Sequence, residues 1–349
     1  MTRPSAAKRA TIGLLGAGTV GAGLCELLSD AGLEADIRRV LVRDPAKTRP
    51  SCVPAAALTT DANAVLNESD VIVELLGGTD PAAELMLRAL RAGKRVVTAN
   101  KAVLAEQWDA FRPFVEQGTL YFEAAVMAGT PAVGPLSSTL RGSKPLELHA
   151  ILNGTCNYIL GQLEGGAEFR DALKEAQALG YAEADPSVDV DGFDAAHKLT
   201  VLGRLAFDPD FSWEEVRART HGIRHLTPAI VKEAMEDGGR LRLVGSIYPE
   251  GGAWRGTVRP VYLPPEHPLS GSASNRNGLV FRGEAVGEVL ITGAGAGAAP
   301  TASAVLADLM DAVAGRPGPS PLRRAAPIPT DYEAQPLGEV LMVGEASAS

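Results

Sequence analysis

Short apolar segments alternate with helical patterns through the first third of the chain. The apolar segments are ATIGLLG, IRRVLVRD, DVIVELLGG and RVVTANK, and the intervening helical patterns include PAAELMLRALRAG and a segment from about Val20 to Ala31. This alternation is typical of the βαβ units that build a parallel sheet. The apolar segments contain few alternating polar positions, as expected for strands covered on both faces. We therefore predict a doubly wound α/β domain over residues 1–130.

The pattern changes after residue 130. FRDALKEAQALG and FDAAHKLTVLGRLAF predict longer helices, whereas ELHAILN and RGTVRPVYL predict strands that lie farther apart. We expect an α+β domain over residues 131–300. LITGAGAGAAPTASAVLADLMDAVAG predicts a strand, a glycine-rich turn and a helix, of which residues 301–315 are expected to return to the first domain. Residues 316–349 are rich in proline and are expected to form an extended surface tail.

Length, charge and cysteine content narrow the possible functions. A chain of 349 residues is long enough for two domains with large cores. Its net charge of −9 argues against nucleic acid as a partner, because binding to a phosphate backbone depends on lysine and arginine. The widely separated Cys25, Cys52 and Cys156 form no CxxC motif, which indicates a reducing compartment. Since no apolar segment reaches the roughly 18 residues of a membrane span, we expect a soluble cytoplasmic protein without a membrane partner.

The segment YAEADPSVDVDGFDAAHKL, residues 181–199, is unusually acidic. Its carboxylates are Glu183, Asp185, Asp189, Asp191 and Asp194, and they are followed by Lys198. The spacing from Ser187 resembles a calcium-binding loop, but Lys198 stands where such a loop requires a glutamate, so calcium is disfavoured. Two interpretations stay open from this segment alone, a solvated acidic loop that caps a helix and an active site.

A glycine motif follows the first predicted strand. Gly16, Gly18 and Gly21 form GxGxxG between a strand and a helix, the context in which this motif binds the pyrophosphate of a dinucleotide. The first domain is therefore predicted to be of Rossmann type, with a simple tight turn as the alternative. The second predicted strand, RRVLVRD, ends in Arg43 and Asp44. Arg43, with Lys47 nearby, favours NADP(H) over NAD(H), whereas Asp44 either binds the ribose of NAD or caps the next turn. The candidate cofactor-binding residues are Gly16, Ala17, Gly18, Thr19, Val20, Gly21, Arg43, Gly78 and Lys101.

Two lysines are candidates for carbonyl reduction, which requires a proton donor beside the forming alkoxide. Lys198 can supply this proton. Asp194 lies four residues earlier on the same helical face, where it can orient the ammonium, although such a pair can also be purely structural. Lys101 ends the predicted strand VVTANK, at the sheet edge where doubly wound folds bind ligands.

Several motifs together resemble the homoserine dehydrogenase family, whose members interconvert aspartate 4-semialdehyde and homoserine with NAD(P)H. Four of them are GLLGAGTVG, VVTANKA, ILNGTCNYIL and LGYAEADPSVDVDGFDAAHKL, and GAGAGAAPTASAVLADL is a fifth. In order and spacing they cover roughly residues 11–310. The resemblance implies an NADP-preferring oxidoreductase of threonine, methionine and isoleucine biosynthesis that acts on a small amino-acid substrate. It also implies a homodimer formed through the sheet of the second domain.

The resemblance further implies roles for individual residues. Lys198 would be the proton donor, Asp194 its support, and Lys101 an assistant in proton transfer between cofactor and substrate. The implied substrate-binding residues are Glu183, Asp189, Gly154, Thr155 and Tyr181. A sodium or potassium ion is implied at a turn that offers Glu123 and the carbonyls of Val126, Ala128 and Thr130. On this interpretation the acidic segment holds a substrate ammonium and a catalytic lysine, because an unpaired buried charge is costly.

The sequence also departs from the family pattern. Met127 stands where glycine is common, and Cys156 stands where threonine is usual. Only about 35 residues follow the last predicted helix. We therefore expect neither the regulatory ACT domain of many bacterial relatives nor the feedback by threonine that such a domain mediates.

Two other functions compete with this interpretation. One is an acylating semialdehyde dehydrogenase with Cys156 as its nucleophile, although a cysteine that opens an apolar helix is more commonly a packing residue. The other is a non-catalytic NADP(H)-sensing protein, which would bind the cofactor and turn over no semialdehyde. The many polar residues of the second domain favour the enzyme.

Overall fold

The computed structural model describes residues 9–272, 275–329, 332 and 337–339. Its contacts divide the chain into two compact units. The first unit comprises the described residues of Met1–Gly134 and Gly297–Pro321, and the second comprises those of Pro135–Ala296 and Leu322–Ser349. Each unit is built on its own sheet.

The strands of the described residues form two six-stranded sheets. Those of the first sheet are β1 (Ala10–Leu15), β2 (Ala35–Leu41), β3 (Leu58–Thr59), β4 (Val71–Glu74), β5 (Arg95–Thr98) and β6 (Leu120–Tyr121). Those of the second are β7 (Pro145–Ile151), β8 (Arg240–Glu250), β9 (Ala253–Leu263), β10 (Arg276–Gly283), β11 (Gly287–Ala294) and β12 (Gly338–Glu339). Strand pairs are parallel in the first sheet and antiparallel in the second.

The helices follow the same division. Those before the second sheet are α1 (Thr19–Asp30), α2 (Ala62–Glu68), α3 (Ala82–Arg91), α4 (Lys101–Glu106), α5 (Trp108–Glu116) and α6 (Val133–Ser137). Those of the second unit are α7 (Gly154–Glu164), α8 (Phe169–Ala178), α9 (Ser187–Val190), α10 (Phe193–Ala206), α11 (Trp213–Ala218) and α12 (Pro228–Glu233). The last helix, α13 (Ala298–Ala314), belongs to the first unit.

The first sheet has the spatial order β3-β2-β1-β4-β5-β6. The order reverses between β1 and β4, so the connections leave these two strands in opposite directions and open a crevice at their carboxyl ends. Dinucleotides bind at such a position in doubly wound sheets. The predicted fold class, a Rossmann-type sheet with a second α+β domain, is confirmed.

The core of the first unit includes α13 as well as the strands and α1. Val305 and Leu309 of α13 are buried in one cluster with Ile12, Leu14 and Val97 of the sheet. A Cβ on Gly23 of α1 would lie 3.3 Å from the Cβ of Ala302, which shows how closely the two helices pack. Apolar burial of this kind contributes about 25 cal/mol per Å², so α13 stabilises a unit from which it is far in sequence.

The second sheet has the order β11-β10-β7-β8-β9-β12. Ile151, Val244, Val261 and Val280, from its four central strands, are buried in one cluster. β11 is an edge strand. The side chain of Leu290 on this strand is 46% exposed, as expected where no further strand covers the sheet.

Two predicted boundaries are wrong at the carboxyl edge of the first sheet. β5 ends at Thr98, so Lys101 does not end a strand and is instead the first residue of α4. The reason is Asn100, whose side chain accepts the N–H of Val103 and caps the helix. Likewise β2 ends at Leu41, so Arg43 lies in the turn beyond it.

None of the helices in the described residues is long and apolar enough to cross a membrane.

Candidate active site

A polar cluster lies in the second unit, where β7 passes into α7. Asn153 caps α7, because its Oδ1 accepts the N–H of Cys156 at 2.7 Å. Its Nδ2 donates to Asp189 Oδ1 at 2.7 Å and to Asp194 Oδ2 at 2.9 Å. One side chain therefore joins the start of α7 to two carboxylates of the acidic segment.

Lys198 and Asp194 form an ion pair one turn apart on α10. Lys198 Nζ donates to Asp194 Oδ2 at 2.7 Å and to the carbonyl oxygen of Leu152 at 2.8 Å. The two side chains are 12% and 8% exposed, so solvent ions screen the pair only weakly. An ammonium carries three protons. Because the described residues offer Nζ two acceptors, one N–H can be donated to a bound ligand.

The first turn of α7 also holds the segment that begins at Tyr181. Thr155 Oγ1 donates to the carbonyl oxygen of Tyr181 at 2.7 Å, and Cys156 Sγ donates to that of Asp189 at 3.2 Å. The ring of Tyr181 meets that of Tyr158 edge to face, with 5.0 Å between the centroids. Gly154, the first residue of α7, comes so close to Asn275 that a Cβ would lie 2.8 Å from its carbonyl oxygen. These contacts fix the segment against the helix.

The remaining carboxylates of residues 181–199 have other partners or are exposed. Asp185 Oδ1 accepts the N–H and the hydroxyl of Ser187 at 3.0 and 2.6 Å, so it caps the turn that leads into α9. Asp191 forms a bidentate ion pair with Arg224. The side chain of Glu183 is exposed. Of the acidic segment, Asp189 and Asp194 are thus the carboxylates that the structure brings together at Asn153.

The turn between β1 and α1, in the first unit, fits a pyrophosphate. Gly16 has a φ of +103°, and a Cβ there would lie 2.8 Å from the carbonyl oxygen of Leu75, so other residues are excluded. The amino end of α1 has no side-chain cap among the described residues, and Gly18 and Thr19 are exposed. Uncapped helix N–H groups attract anions. Ala17, Val20 and Gly21 complete this turn and the start of the helix.

Arg43 and Lys47 are exposed in the turn that follows β2. Asp44 Oδ1 accepts the N–H of Ala46 at 2.8 Å, and the Asp44 carbonyl oxygen accepts from Arg49 at 2.9 Å. Asp44 therefore caps this turn, which is one of the two roles that the sequence left open. Arg43 is the first cationic side chain after the end of the strand.

Gly78 and Lys101 are joined by Asn100 at the carboxyl edge of the first sheet. Gly78 lies just beyond β4, and its carbonyl oxygen accepts Asn100 Nδ2 at 2.6 Å. The same asparagine is the N-cap of α4, which begins at Lys101. The structure thus brings together two of the predicted cofactor-binding positions.

A loop after β6 contains buried residues whose carbonyl oxygens accept no backbone N–H from the described residues. Val126 and Ala128 are 0% and 8% exposed, and no N–H of the described residues donates to their carbonyl oxygens. Met127 and Ala128 have φ angles of 58° and 52°, which are uncommon for residues other than glycine. Thr130 is buried as well, and its N–H donates to the carbonyl oxygen of Met127 at 3.0 Å. Such carbonyl oxygens suit a hard monovalent cation, since leaving them unpaired is costly.

Two carboxyl groups lie beside this loop. Glu123 accepts the N–H groups of Ala132, Val133 and Gly134 at 2.7, 3.0 and 2.6 Å, and its burial raises its pKa. Asp308 of α13 accepts the N–H of Glu123 at 2.8 Å. Burial and the neighbouring Glu123 raise the pKa of Asp308. A bound cation would offset the negative charge of this pair.

Comparison with known proteins identifies the family. The family model described as "Homoserine dehydrogenase" matches residues 131–310, and the model described as "Homoserine dehydrogenase, NAD binding domain" matches residues 16–118. A homoserine dehydrogenase from Synechocystis sp. is 40% identical over 317 residues, which cover 86% of this chain and 73% of the relative. The chain belongs to the homoserine dehydrogenase family.

Solved structures of homoserine dehydrogenases agree with the fold. A homoserine dehydrogenase from Thiobacillus denitrificans has a TM-score of 0.82 and 39% identity, covering 87% of this chain and 73% of that one. A hyperthermophilic archaeal homoserine dehydrogenase in complex with NADPH has a TM-score of 0.74 and 25% identity, covering 89% of this chain and 99% of that one. Both similarities extend across both units.

Membership of the homoserine dehydrogenase family establishes the reaction. The chain is an NAD(P)-dependent oxidoreductase that acts on a CH–OH group and interconverts homoserine and aspartate 4-semialdehyde. The predicted family, activity and nicotinamide cofactor class are confirmed. The acylating alternative loses its physical basis as well, because Cys156 is fully buried and its pKa is raised by burial and by nearby carboxylates.

Two residues of these sites were missed in the sequence. Asn153 had a recognisable signal, since an asparagine before an apolar helix is a common N-cap, but its contacts with Asp189 and Asp194 span long sequence separations. Asp308 is one of two acidic residues, with Asp311, in a mostly apolar helix.

Proposed function

We propose that Lys198 donates the proton when aspartate 4-semialdehyde is reduced, and that Asp194 holds its ammonium in position. The observation that carries this proposal is the pair of contacts at Lys198 Nζ, which leave one N–H for the carbonyl oxygen of the substrate. As that oxygen gains negative charge, a proton delivered by a fixed ammonium lowers the barrier. In the oxidative direction the neutral amine accepts the hydroxyl proton of homoserine.

We assign the amino-acid part of the substrate to the segment beside Lys198. Asp189 and Glu183 would bind the amino group and the region of the hydroxyl, and Asn153 already fixes the orientation of Asp189. A carboxylate offsets the cost of removing an ammonium from water. Gly154, Thr155 and Tyr181 would border the substrate. Their hydrogen bonds and close contacts support a site that changes little when the substrate binds.

NADP(H) is the proposed cofactor, and NAD(H) would bind more weakly. When bound, the nicotinamide supplies or accepts the hydride. The uncapped amino end of α1, with Gly16, Gly18 and Gly21, would hold the pyrophosphate. Arg43 would bind the 2′-phosphate, because Asp44 already caps its own turn. A homoserine dehydrogenase of similar fold binds NADPH, which supports this choice. Ala17, Thr19, Val20 and Gly78 would line the cofactor, and Lys101 would assist proton transfer.

A sodium or potassium ion is the proposed occupant of the loop after β6. Its ligands would be the carbonyl oxygens of Val126 and Ala128, with Glu123 and Thr130. The support is that both residues are buried and that no backbone N–H of the described residues donates to either carbonyl oxygen. Within those residues, no group of three or more His, Cys, Asp and Glu side chains is placed to hold a metal ion, so backbone oxygens are the better candidates.

The proposed assembly is a cytoplasmic homodimer formed through the second sheet. Exposed apolar side chains next to and on the edge strand β11, Val286 and Leu290, are 44% and 46% exposed in the single chain. Burying them against a second copy would remove apolar surface from water. In this proposal the first unit binds the cofactor, and the second unit supplies catalysis and dimerisation.

The decisive test replaces Lys198 by alanine. We expect kcat for homoserine oxidation, followed by the absorbance of the reduced cofactor, to fall by about 10²–10⁴-fold, while the Kd for NADPH stays the same. Lys174→Ala is the matched control, because Lys174 is an exposed lysine on α8. A kcat close to that of the wild type would remove Lys198 from the chemistry.

The same assay examines the proposed cofactor and cation. In the wild type, kcat/KM is expected to be higher with NADP than with NAD, and this preference should shrink in Arg43→Ala. Activity is expected to be lower in choline chloride than in sodium or potassium chloride. Equal kcat/KM for both cofactors would contradict the role of Arg43.

A further inference from the structure

Glu74 is a fully buried carboxylate that the proposed chemistry does not use. It is the last residue of β4, is 0% exposed, and forms no ion pair with a lysine or arginine among the described residues. Its Oε2 accepts the hydroxyl of Thr98 at 2.6 Å, and its Oε1 accepts the N–H of Leu76 at 2.8 Å. Burying a carboxylate without a cation costs free energy unless many donors surround it, so the presence of Glu74 at this position needs an explanation.

The hydrogen bonds continue from Glu74 to two predicted cofactor positions. Thr98 Oγ1 accepts the backbone N–H of Asn100 at 3.0 Å. Asn100 Nδ2 then donates to the carbonyl oxygen of Gly78 at 2.6 Å, and Asn100 Oδ1 caps the helix that Lys101 begins. Glu74 is therefore the inner end of a network that sets the turn after β4 and the start of α4.

Both carboxyl oxygens of Glu74 accept hydrogen bonds, from the hydroxyl of Thr98 and the N–H of Leu76. Burial raises the pKa of Glu74, and these two hydrogen bonds act in the opposite direction. Both partners donate. A carboxylate can accept from both, whereas a neutral amide has one acceptor oxygen and directs its N–H groups at donors. The substitution Glu74→Gln therefore breaks hydrogen bonds of the network while it keeps the size of the side chain.

The position of the network in the sheet indicates which half of the cofactor it serves. The pyrophosphate turn follows β1, and β2 and β3 lie on one side of it, where Arg43 is found. Glu74 and Thr98 end β4 and β5, on the other side of the switch point. A dinucleotide that crosses this point places its two nucleotides on opposite sides of β1. With the 2′-phosphate near Arg43, the nicotinamide half lies over β4 and β5.

We propose that Glu74 is a positioning residue for the nicotinamide half of the cofactor and for Lys101, acting through Thr98 and Asn100. This inference rests on the proposed cofactor orientation. It assigns to Glu74 no contact with substrate and no proton transfer. Its effect is to keep the Gly78 turn and the amino end of α4 in the arrangement that receives the nicotinamide ring.

The test compares the whole cofactor with its adenine half. For Glu74→Gln, Kd values are measured by calorimetry for NADPH and NADH and for the fragments 2′,5′-ADP and ADP. We expect about tenfold weaker binding of the preferred cofactor, from the loss of one buried hydrogen bond, and unchanged binding of its fragment. Equal losses for cofactor and fragment, or no loss for either, would overturn the proposal.

Matched variants separate an effect on cofactor positioning from an effect on the overall stability of the protein. Asp70, at the amino end of the same strand, accepts the N–H and hydroxyl of Thr11 at 2.9 and 2.7 Å. Asp70→Asn is expected to lower the Tm and to leave the ratio of cofactor to fragment affinity unchanged. If Glu74→Gln does not fold, Thr98→Val provides the same test, because it removes the hydroxyl between Glu74 and Asn100.

Thr98→Ser is the conservative counterpart of Thr98→Val. It keeps the hydroxyl and should bind the cofactor as the wild type does, whereas Thr98→Val should show the selective loss. Equal selective losses in both variants would contradict the hydrogen-bond network. This outcome does not depend on the Lys198 experiment. An unchanged kcat in Lys198→Ala would contradict the proposed proton donor, but it would not change the ratio of cofactor affinity to fragment affinity.

Discussion

Cys156 illustrates how a single residue can lie beside a polar cluster and still lack the properties of a nucleophile. Its thiol donates to the carbonyl oxygen of Asp189 and is fully buried. Burial and the carboxylates of Asp189 and Asp194 raise the pKa of this thiol, so little thiolate is present near neutral pH. Cys156 therefore acts as a packing residue that also supports the acidic segment.

The expected result of Cys156→Ser is a kcat within about threefold of the wild type, because a hydroxyl can donate to the same carbonyl oxygen. Activity with homoserine would be measured in the presence and absence of inorganic phosphate. Loss of activity in this variant, together with a requirement for phosphate, would revive the acylating mechanism.

At the residue scale the sequence predicted local relations better than distant ones. The pairing of Lys198 with Asp194 follows from their spacing of one helical turn and is present at 2.7 Å. The contacts of Asn153 with Asp189 and Asp194 could not be predicted from residue spacing, because they require the end of β7, α9 and α10 to lie close together in the fold. The exposed position of Glu183 was equally unpredictable, because the motif contains no information on which way the side chain points.

At the element scale, α6 depends on a side chain from the loop that precedes it. Both carboxylate oxygens of Glu123 accept backbone N–H groups at the start of this short helix. The same residue lies next to the buried Asp308, whose oxygen accepts the Glu123 N–H. The loop after β6, the two carboxyl groups and α6 are therefore parts of one local structure, and the proposed cation would stabilise all of them.

Glu123→Gln is expected to lower the Tm and to abolish the rise in Tm that potassium chloride produces relative to choline chloride. The amide directs its N–H groups at backbone donors and removes the negative charge that a cation would offset. Differential scanning fluorimetry provides the measurement. Glu116→Gln is the control, since Glu116 is half-exposed and pairs with Arg112 on the surface of α5. A potassium response that survives in Glu123→Gln would place the cation elsewhere.

The longer helices and strands were predicted from the sequence, whereas the short ones were not. The predicted helix from about Val20 to Ala31 corresponds to α1, Thr19–Asp30, and the predicted strand, turn and helix near the end correspond to β11 and α13. α9 has only four residues, Ser187–Val190, which is too short for a period of 3.6 residues to be visible. The end of β5 was misplaced because Asn100 caps a helix inside an apolar run.

At the scale of the whole molecule, the two sheets differ as the sequence pattern predicted. Continuous apolar runs such as VIV of β4 belong to the parallel sheet, whose strands are buried on both faces. The strand orders could not be predicted from the sequence, because several pairings join segments that are far apart in the chain, as between β10 and β7. The expectation that residues 301–315 return to the first domain rested on the strand, glycine-rich turn and helix predicted from LITGAGAGAAPTASAVLADLMDAVAG.

The proposed homodimer leads to a prediction about the edge of the second sheet. Leu290→Lys is expected to raise the fraction of monomer in sedimentation velocity, because a charge would replace an apolar side chain on β11. Leu179→Lys is the control, since Leu179 is 55% exposed and lies at the end of α8, outside the sheet. A dimer that withstands Leu290→Lys would show that β11 is not part of the interface.

Asn153 has a consequence for attempts to change which substrate this enzyme accepts. Its single amide group caps α7 and binds both Asp189 and Asp194, the latter being the partner of Lys198. A loop transplanted from a relative to replace residues 181–191 would meet Asn153 already in place and would have to present an acceptor where Asp189 now stands. A loop without that acceptor would remove one of the two carboxylates that Asn153 Nδ2 contacts and leave the contact with Asp194. A change in the segment proposed to bind the substrate therefore reaches, through Asn153, the carboxylate that pairs with the proposed proton donor Lys198.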